Sequence, residues 1–255
     1  MSGEPTGRAP RFVLSGLDAG ARHVTFDGEQ SRHMSRVLRL TAGDLVVAVD
    51  GQGREWSVRL TEVTARTAAG LVLAERAGGG ESPLHLTLAQ AVPKSDKMDL
   101  IVRMVTELGA AAVRPLVSER TVARADGDRW RSRHERWQRI AREAAKQCGR
   151  AVVPTVSPPV GLSAWLEEPA DRGLMVCVWE GEQALLADRL PAGPIRRATL
   201  VVGPEGGLAE PEVARLAGAG AVLAGLGPRI LRTETAGPVA IALLQARYGD
   251  LGTTP

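Results

Sequence analysis

From residue 12 to residue 76 the chain alternates apolar and polar positions in short runs. Arg22-His23-Val24-Thr25-Phe26 is one, and Leu45-Val46-Val47-Ala48-Val49-Asp50 is another, closed by the turn Asp50-Gly51-Gln52-Gly53. Trp56-Ser57-Val58-Arg59-Leu60 alternates in the next run, and residues 69–75 supply a fourth. Short strands separated by Gly-bearing turns predict a small β-barrel or sandwich. Between the first two runs, Met34, Val37 and Leu38 fall at i, i+3 and i+4. That spacing predicts a short helix over 31–39, with Arg32, Arg36 and Arg39 mostly on its other side. Gly78-Gly79-Gly80-Glu81-Ser82-Pro83 breaks the pattern and reads as a linker.

From Leu84 the period changes. Residues 84–92 and 111–117 are strand-like, and between them Met98, Ile101, Val102, Val105 and Leu108 mark a helix. Ser95 or Asp96 can cap its start, and Gly109 stops it. Trp130, Trp137, Ile140, Ala141, Ala144 and Cys148 trace one stripe of a second helix, leaving its arginines largely off that stripe. Strands at 173–178, 198–202 and 221–226 alternate with helices at 209–217 and about 233–247. This alternation predicts an α/β domain with a mostly parallel sheet covered on both faces. The expected organisation is a disordered tail at 1–11, a β domain at 12–77, a linker at 78–83, an α/β domain at 84–250 and a short tail at 251–255.

Composition narrows the class. No apolar run approaches the ~18 residues of a membrane span, and Met1 to Arg11 lacks a signal-peptide core. Two cysteines, Cys148 and Cys177, and four scattered histidines supply neither a disulfide framework nor a zinc cluster. A reduced, cytoplasmic compartment and no metal are the expectation. Cys148 reads as packing and His134 as a surface residue. The net charge is only +3, but residues 120–150 hold ten basic residues, Arg124 among them, against four acids. Such a concentration is the footprint of a polyanion binder, although a solvated helix face gives the same count.

Parallel sheets bind ligands at the carboxyl ends of their strands, and two loops stand there. Gly203-Pro204-Glu205-Gly206-Gly207-Leu208 joins an apolar strand to a helix through three glycines, without the pattern of a dinucleotide or phosphate loop. Leu226-Gly227-Pro228-Arg229-Ile230-Leu231-Arg232-Thr233-Glu234-Thr235-Ala236 holds two apolar residues between arginines before the last helix. Thr233 is expected to cap that helix, and Glu234 suits its dipole. An ordinary Gly-rich turn and two surface arginines remain the plain alternative. No Ser-His-Asp set or obvious carboxylate pair accompanies the loops.

Together these two loops resemble the knotted cofactor loops of the SPOUT methyltransferase superfamily. Residues 98–109 following Pro93-Lys94, the segment Glu143-Ala144-Ala145-Lys146-Gln147-Cys148-Gly149-Arg150, and His33-Met34-Ser35-Arg36-Val37-Leu38-Arg39 narrow the resemblance to the RsmE family. It covers nearly all of residues 12–250. Met104 stands where that family commonly has a basic residue.

The resemblance implies an N-terminal PUA-like barrel for RNA and a C-terminal sheet with a deep trefoil knot. It implies S-adenosylmethionine as cofactor and a homodimer completing the site. The substrate would be N3 of a uracil in 16S ribosomal RNA (position 1498 in reference numbering), in the small ribosomal subunit. It places cofactor contacts at Gly203, Pro204, Glu205, Gly206, Gly207, Leu226, Gly227, Ile230, Leu231, Arg232 and Thr235, with Leu226, Ile230 and Leu231 as an apolar wall. Arg232 would stabilise charge on the uracil, and Glu234 is a candidate base. RNA contacts are expected at Arg32, His33, Arg36 and Arg39, and at Lys94, Arg120 and Arg150. The rivals are a ribose 2′-O-methyltransferase of the same fold, a catalytically silent RNA-binding protein and, more distantly, a nicotinamide oxidoreductase.

Overall fold

The computed structural model describes residues 9–14, 16–18, 20–122, 127–182 and 184–252. Arg124 and most of the expected N- and C-terminal tails lie outside the described residues. The chain divides into two compact units, one running up to Glu81 and taking in Ala145–Val153, the other formed by Ser82–Ala144 and the chain from Pro154 onward.

The first unit is a five-stranded sheet in the order β1-β3-β4-β5-β2, with strands β1 (Arg11–Val13), β2 (His23–Phe26), β3 (Leu45–Val49), β4 (Arg54–Val63) and β5 (Ala68–Ala77). β1 was not expected: Arg11 and Phe12 pair in parallel with β3, so the chain is already ordered at Arg11. The sheet curls enough to bring its two edges together. Phe12 on β1 meets Phe26 on β2 edge to face at 5.6 Å, and the Gln30 side chain donates to the Val13 carbonyl. Phe12, Val24, Phe26, Met34, Trp56 and Leu60 fill the space enclosed, each facing inward by the two-residue alternation of its strand or from the helical segment.

That helical segment corrects the periodicity. Helix α1 (Gly28–Arg32), capped by the Asp27 carboxylate on the Gln30 N–H, runs into a π-helical turn at His33–Val37. The Leu38 N–H bonds the His33 carbonyl five residues back. The extra residue in this turn leaves Met34 buried but rotates its expected partners outward: Val37 is 65% exposed and Leu38 38%.

The expected linker and Arg150 also differ. Gly78 N–H bonds the Gly53 carbonyl, and Glu81 accepts from both Arg150 (Nη2 2.7 Å, Nε 3.1 Å) and the Val152 N–H (3.0 Å). Arg150 is 5% exposed. Its guanidinium is therefore spent within this unit and is not a surface cation for RNA, because burial leaves it tied to its carboxylate. The segment 145–153, which starts in the last turn of the long helix Gly127–Cys148, thus folds with the β unit.

The second unit is a seven-stranded, wholly parallel sheet in the order β12-β10-β11-β6-β7-β8, with β9 also paired to β7. Its strands are β6 (His85–Ala91), β7 (Ala112–Val117), β8 (Thr155–Val156), β9 (Val160–Gly161), β10 (Leu174–Val178), β11 (Arg197–Val202) and β12 (Val222–Ala224). The helices are α2 (Lys97–Glu107), α3 (Gly127–Cys148), α4 (Leu162–Glu167), α5 (Leu186–Arg189), α6 (Glu210–Gly218) and α7 (Thr233–Tyr248). The two-residue strands and α4 and α5 were not predicted; they are too short for periodicity to register.

Ala89, Met175, Cys177 and Val201 point to one face, against Leu162 and Trp165 of α4 and Val213 and Leu216 of α6. α2 and α7 pack on each other, and α7 packs on β6 and β11. Two covered faces explain why β10 and most of β11 read as near-continuous apolar runs. Burial pushes the Cys177 thiol up to about 12, which removes it as a nucleophile. Cys148 is only half-buried, at the end of its helix. His134 is no free surface residue either, because its Nε2 lies 2.7 Å from the Val156 carbonyl and ties α3 to β8. Among the described residues no helix is long and apolar enough to cross a membrane.

Replacing Arg150 with methionine keeps the apolar stem but strands the Glu81 carboxylate. Because Glu81 keeps some contact with water, the expected loss is about 2–3 kcal/mol of unfolding free energy, below the usual cost of breaking a fully buried pair. Urea denaturation reads it, and an unchanged midpoint would show that the pair is structurally idle.

Candidate functional site

β11 lies between β6 and β10, so the loops leaving β6, β11, β10 and β12 converge at one end of the sheet. There they enclose a cleft of about 450 Å³. Its floor and walls are Val178, Trp179, Val202, Leu208, Leu226 and Leu231, an apolar strip at the carboxyl ends of neighbouring strands.

The loop after β11 is held by polar contacts at both ends. A Cβ on Gly203 would stand 3.0 Å from the Gly207 carbonyl carbon and the Leu208 nitrogen, so any larger residue forces this turn's backbone to shift. Arg120 Nη1 donates to the Gly206 carbonyl at 2.8 Å. The buried Glu212 carboxylate accepts from the Ala209 and Glu119 N–H groups and fixes the start of α6. The loop after β12 turns at Gly227, whose φ of +108° is closed to residues bearing a Cβ.

Thr233 does not cap α7. It is the helix's first residue, and its hydroxyl donates to the Gly203 carbonyl at 2.6 Å while accepting from the buried Gln90 amide at 3.0 Å. One hydroxyl thereby joins the end of β6, the loop after β11 and the start of α7.

Lys97, at the start of α2, was not anticipated. Its ammonium lies 3.0 Å from Glu205 and 3.2 Å from Glu234. Glu205 also accepts the Lys94 N–H. Burial alone would raise the Glu205 pKa, but its own backbone N–H, Lys97 and the Lys94 N–H outweigh burial and hold it below the usual carboxylate range. The hydrogen bond to Glu205 raises the Lys97 pKa, and Glu234 adds to this against desolvation. The pair's contribution is present above the ordinary glutamate value of 4.5 and fades as pH falls through the lower folded value. On the basic side it is present below 10.5 and fades only as pH rises past the raised lysine value.

Of the residues singled out by sequence, Gly203, Pro204, Glu205, Gly207, Leu226, Gly227, Ile230, Leu231 and Arg232 line the cleft. Ile230 stands at the rim, 85% exposed, so the inner wall is Leu226 and Leu231 with residues of β10 and β11. Gly206, Glu234 and Thr235 are not on the lining; Thr235 is exposed on α7, and Glu234 faces Lys97. Arg232 is 82% exposed at the side chain and 4.0 Å from Glu234. Lys94 and Arg120 are exposed in this unit, and Arg32, His33, Arg36 and Arg39 in the other.

Sequence reasoning missed Lys97, Trp179, Glu180, Glu182, Gln90 and the bonding of Thr233. The available signal was positional, since Trp179-Glu180-Gly181-Glu182 directly follows β10 at the ligand-binding end of the sheet. Glu180 has no ion-pair partner among the described residues. The cleft therefore combines an apolar slot, an uncompensated carboxylate within it and arginines at its rim. That set suits a flat, cationic organic ligand beside an anionic or carbonyl-rich one.

A family model described as an RNA methyltransferase domain matches residues 80–245, and one described as an RNA methyltransferase PUA domain matches residues 26–72. The ribosomal RNA small subunit methyltransferase E of Bacillus subtilis is 36% identical over 215 residues, covering 82% of this chain and 84% of that one. A crystal structure of the enzyme of that name from Neisseria gonorrhoeae, bound to S-adenosyl methionine, superposes with a TM-score of 0.86 at 34% identity, covering 95% and 99% of the two chains. A Legionella pneumophila protein whose structure holds the same cofactor gives 0.88 at 30% identity, covering 96% and 100%.

Replacing Lys97 with methionine is expected to return the Glu205 titration toward the ordinary glutamate range. Carboxyl-carbon NMR of labelled protein reads it directly. A Glu205 curve unmoved by the substitution would mean that the N–H contacts alone set its acidity.

Proposed function

Because the chain belongs to the RNA methyltransferase family, we propose that it transfers a methyl group from S-adenosylmethionine to N3 of a uracil in 16S ribosomal RNA of the small subunit, in the cytosol. The observation that carries this reading is the cleft itself: two loops meeting over an apolar slot, with the Arg232 guanidinium exposed at its mouth.

The residues present fit the cofactor. Gly203 and Gly227 keep backbone at the cleft free of side chains, Leu226, Leu231 and Trp179 give an adenine apolar surface, and Glu180 offers countercharge to a cation. When bound, S-adenosylmethionine supplies an electrophilic methyl carbon on a sulfonium. The protein's remaining tasks are alignment and charge. Reacting atoms held near contact distance remove much of the entropic barrier, which the Gln90–Thr233–Gly203 contacts serve by fixing both loops.

Uracil N3 attacks only as its proton leaves, and negative charge then spreads to the flanking carbonyl oxygens. Arg232 donates to those oxygens as the charge develops. Glu234 is shared between Lys97 and Arg232, so it positions the guanidinium and leaves proton acceptance to another group. The base must leave its stack to reach the site, since pairing covers N3. Lys94 and Arg120, exposed in the same unit, meet the RNA backbone.

Two structural features extend the reading. After β12 at the sheet edge, residues 225–232 return to seat α7 on β6 and β11, with Thr233 bonded to Gly203; such a return supports a knotted chain. Leu100 on α2 and Leu243 on α7 leave exposed apolar surface on packed helices, which supports a homodimer.

Calorimetry is expected to show S-adenosylmethionine binding that Gly227→Val abolishes, because the valine cannot hold the turn. With small subunits from cells lacking this protein, Arg232→Ala is expected to cut turnover by ~10²–10³ while cofactor affinity stays within a few-fold. Nucleoside analysis of the product should give 3-methyluridine. A ribose-methylated product would move the chain to 2′-O chemistry, and loss of cofactor affinity in Arg232→Ala would make that arginine a cofactor ligand.

A further inference from the structure

The turn that follows α1 has features its own fold does not need. Residues 31–43 contain Arg32, Arg36 and Arg39 and no acidic residue, and none of these three has an ion-pair partner among the described residues. Between them Val37 and Leu38 project outward, 65% and 38% exposed, although a regular helix would have buried both beside Met34. The outward turn is held by uncommon backbone: the five-residue Leu38–His33 bond, a Leu40 N–H bonded to the Met34 carbonyl at 2.9 Å, and Arg39 at φ +54°. π-turns and left-handed non-glycine residues cost free energy and persist where the surroundings enforce them. Here the enforcement is visible. Met34 is fully buried, and the His33 ring stands edge-on to Phe12 at 6.4 Å.

We propose that residues 32–39 form a two-part RNA-reading element. Arg32, Arg36 and Arg39 hold phosphates, and the Val37–Leu38 apex packs against the face of an unstacked base at a loop or helix end of the RNA. The charge identifies the occupant. An apolar tip ringed by unpaired guanidinium groups repels a basic partner and matches a polyanion that also presents flat apolar surface, which unpaired RNA does and a closed duplex does not. This rests on the RNA-methyltransferase reading for its polyanion, but it makes a separate claim, that aliphatic contact and not charge alone selects unpaired RNA.

The two parts separate by salt. The full chain carrying Val37→Ala and Leu38→Ala, both at exposed positions, is compared with Arg36→Gln in binding to a hairpin with an unpaired loop and to a fully paired duplex of equal length. The apex variant is expected to lose roughly tenfold in affinity for the hairpin, the loss expected if the RNA buries about two of the five carbons removed. Its affinity for the duplex and its salt slope should stay as in the wild type. Arg36→Gln should weaken both RNAs and reduce the slope by about one. Wild-type affinity of the apex variant for the hairpin would overturn the proposal. So would equal losses on both RNAs, or a changed sedimentation mass without RNA, which would assign the apex to a second copy. S-adenosylmethionine binding, measured without RNA, tests the methyltransferase reading apart from this one.

Discussion

The hydroxyl of Thr233 is the contact on which the site depends. It donates to the Gly203 carbonyl and accepts from Gln90, deep in the sheet, so three segments distant in sequence meet on one oxygen. Buried polar groups are costly unless satisfied, and the Thr233 hydroxyl and the Gln90 amide nitrogen are satisfied only when β6, the loop after β11 and the start of α7 are all in place. The cleft is a consequence. With Gly203 and Thr233 fixed, Leu226, Leu231, Val202 and Leu208 all come to line the slot.

Electrostatics then divides the cleft. Lys97 absorbs Glu205 and Glu234, which would otherwise repel a polyanionic substrate at the mouth, while Glu180, within the cleft, has no ion-pair partner among the described residues. Arg229 and Arg232 stay at the rim. An organic cation and an anionic partner can thus occupy neighbouring positions without competing for the same charges. The same division explains why a loop carrying Glu205 is better suited to a cationic ligand than to a phosphate.

Much of this was legible in the sequence. The change of period at Leu84, the glycines of the two loops and the apolar runs of β10 and β11 follow from rules that act over a few residues. The cleft lining at Gly203–Glu205, Gly207 and Leu226–Arg232 was legible for that reason. What was hidden depends on contacts far apart in sequence. Lys97 looks like any helix-start lysine until Glu205 and Glu234 are brought to it, and Arg150 looks like a surface cation until Glu81 buries it. A local rule favours Thr233 as a cap, but its hydroxyl's partner lies thirty residues back, at Gly203. Val37 and Leu38 failed for a different reason: a single extra residue in a π-turn shifts the helical phase, and no spacing rule anticipates it.

The most direct test is a crystal structure of the protein with S-adenosylmethionine. The account predicts the ligand in the slot between Gly203–Leu208 and Leu226–Arg232, with its methyl carbon open toward the Arg232 guanidinium. A ligand bound elsewhere, or one whose methyl is walled off from Arg232 by protein, would contradict it.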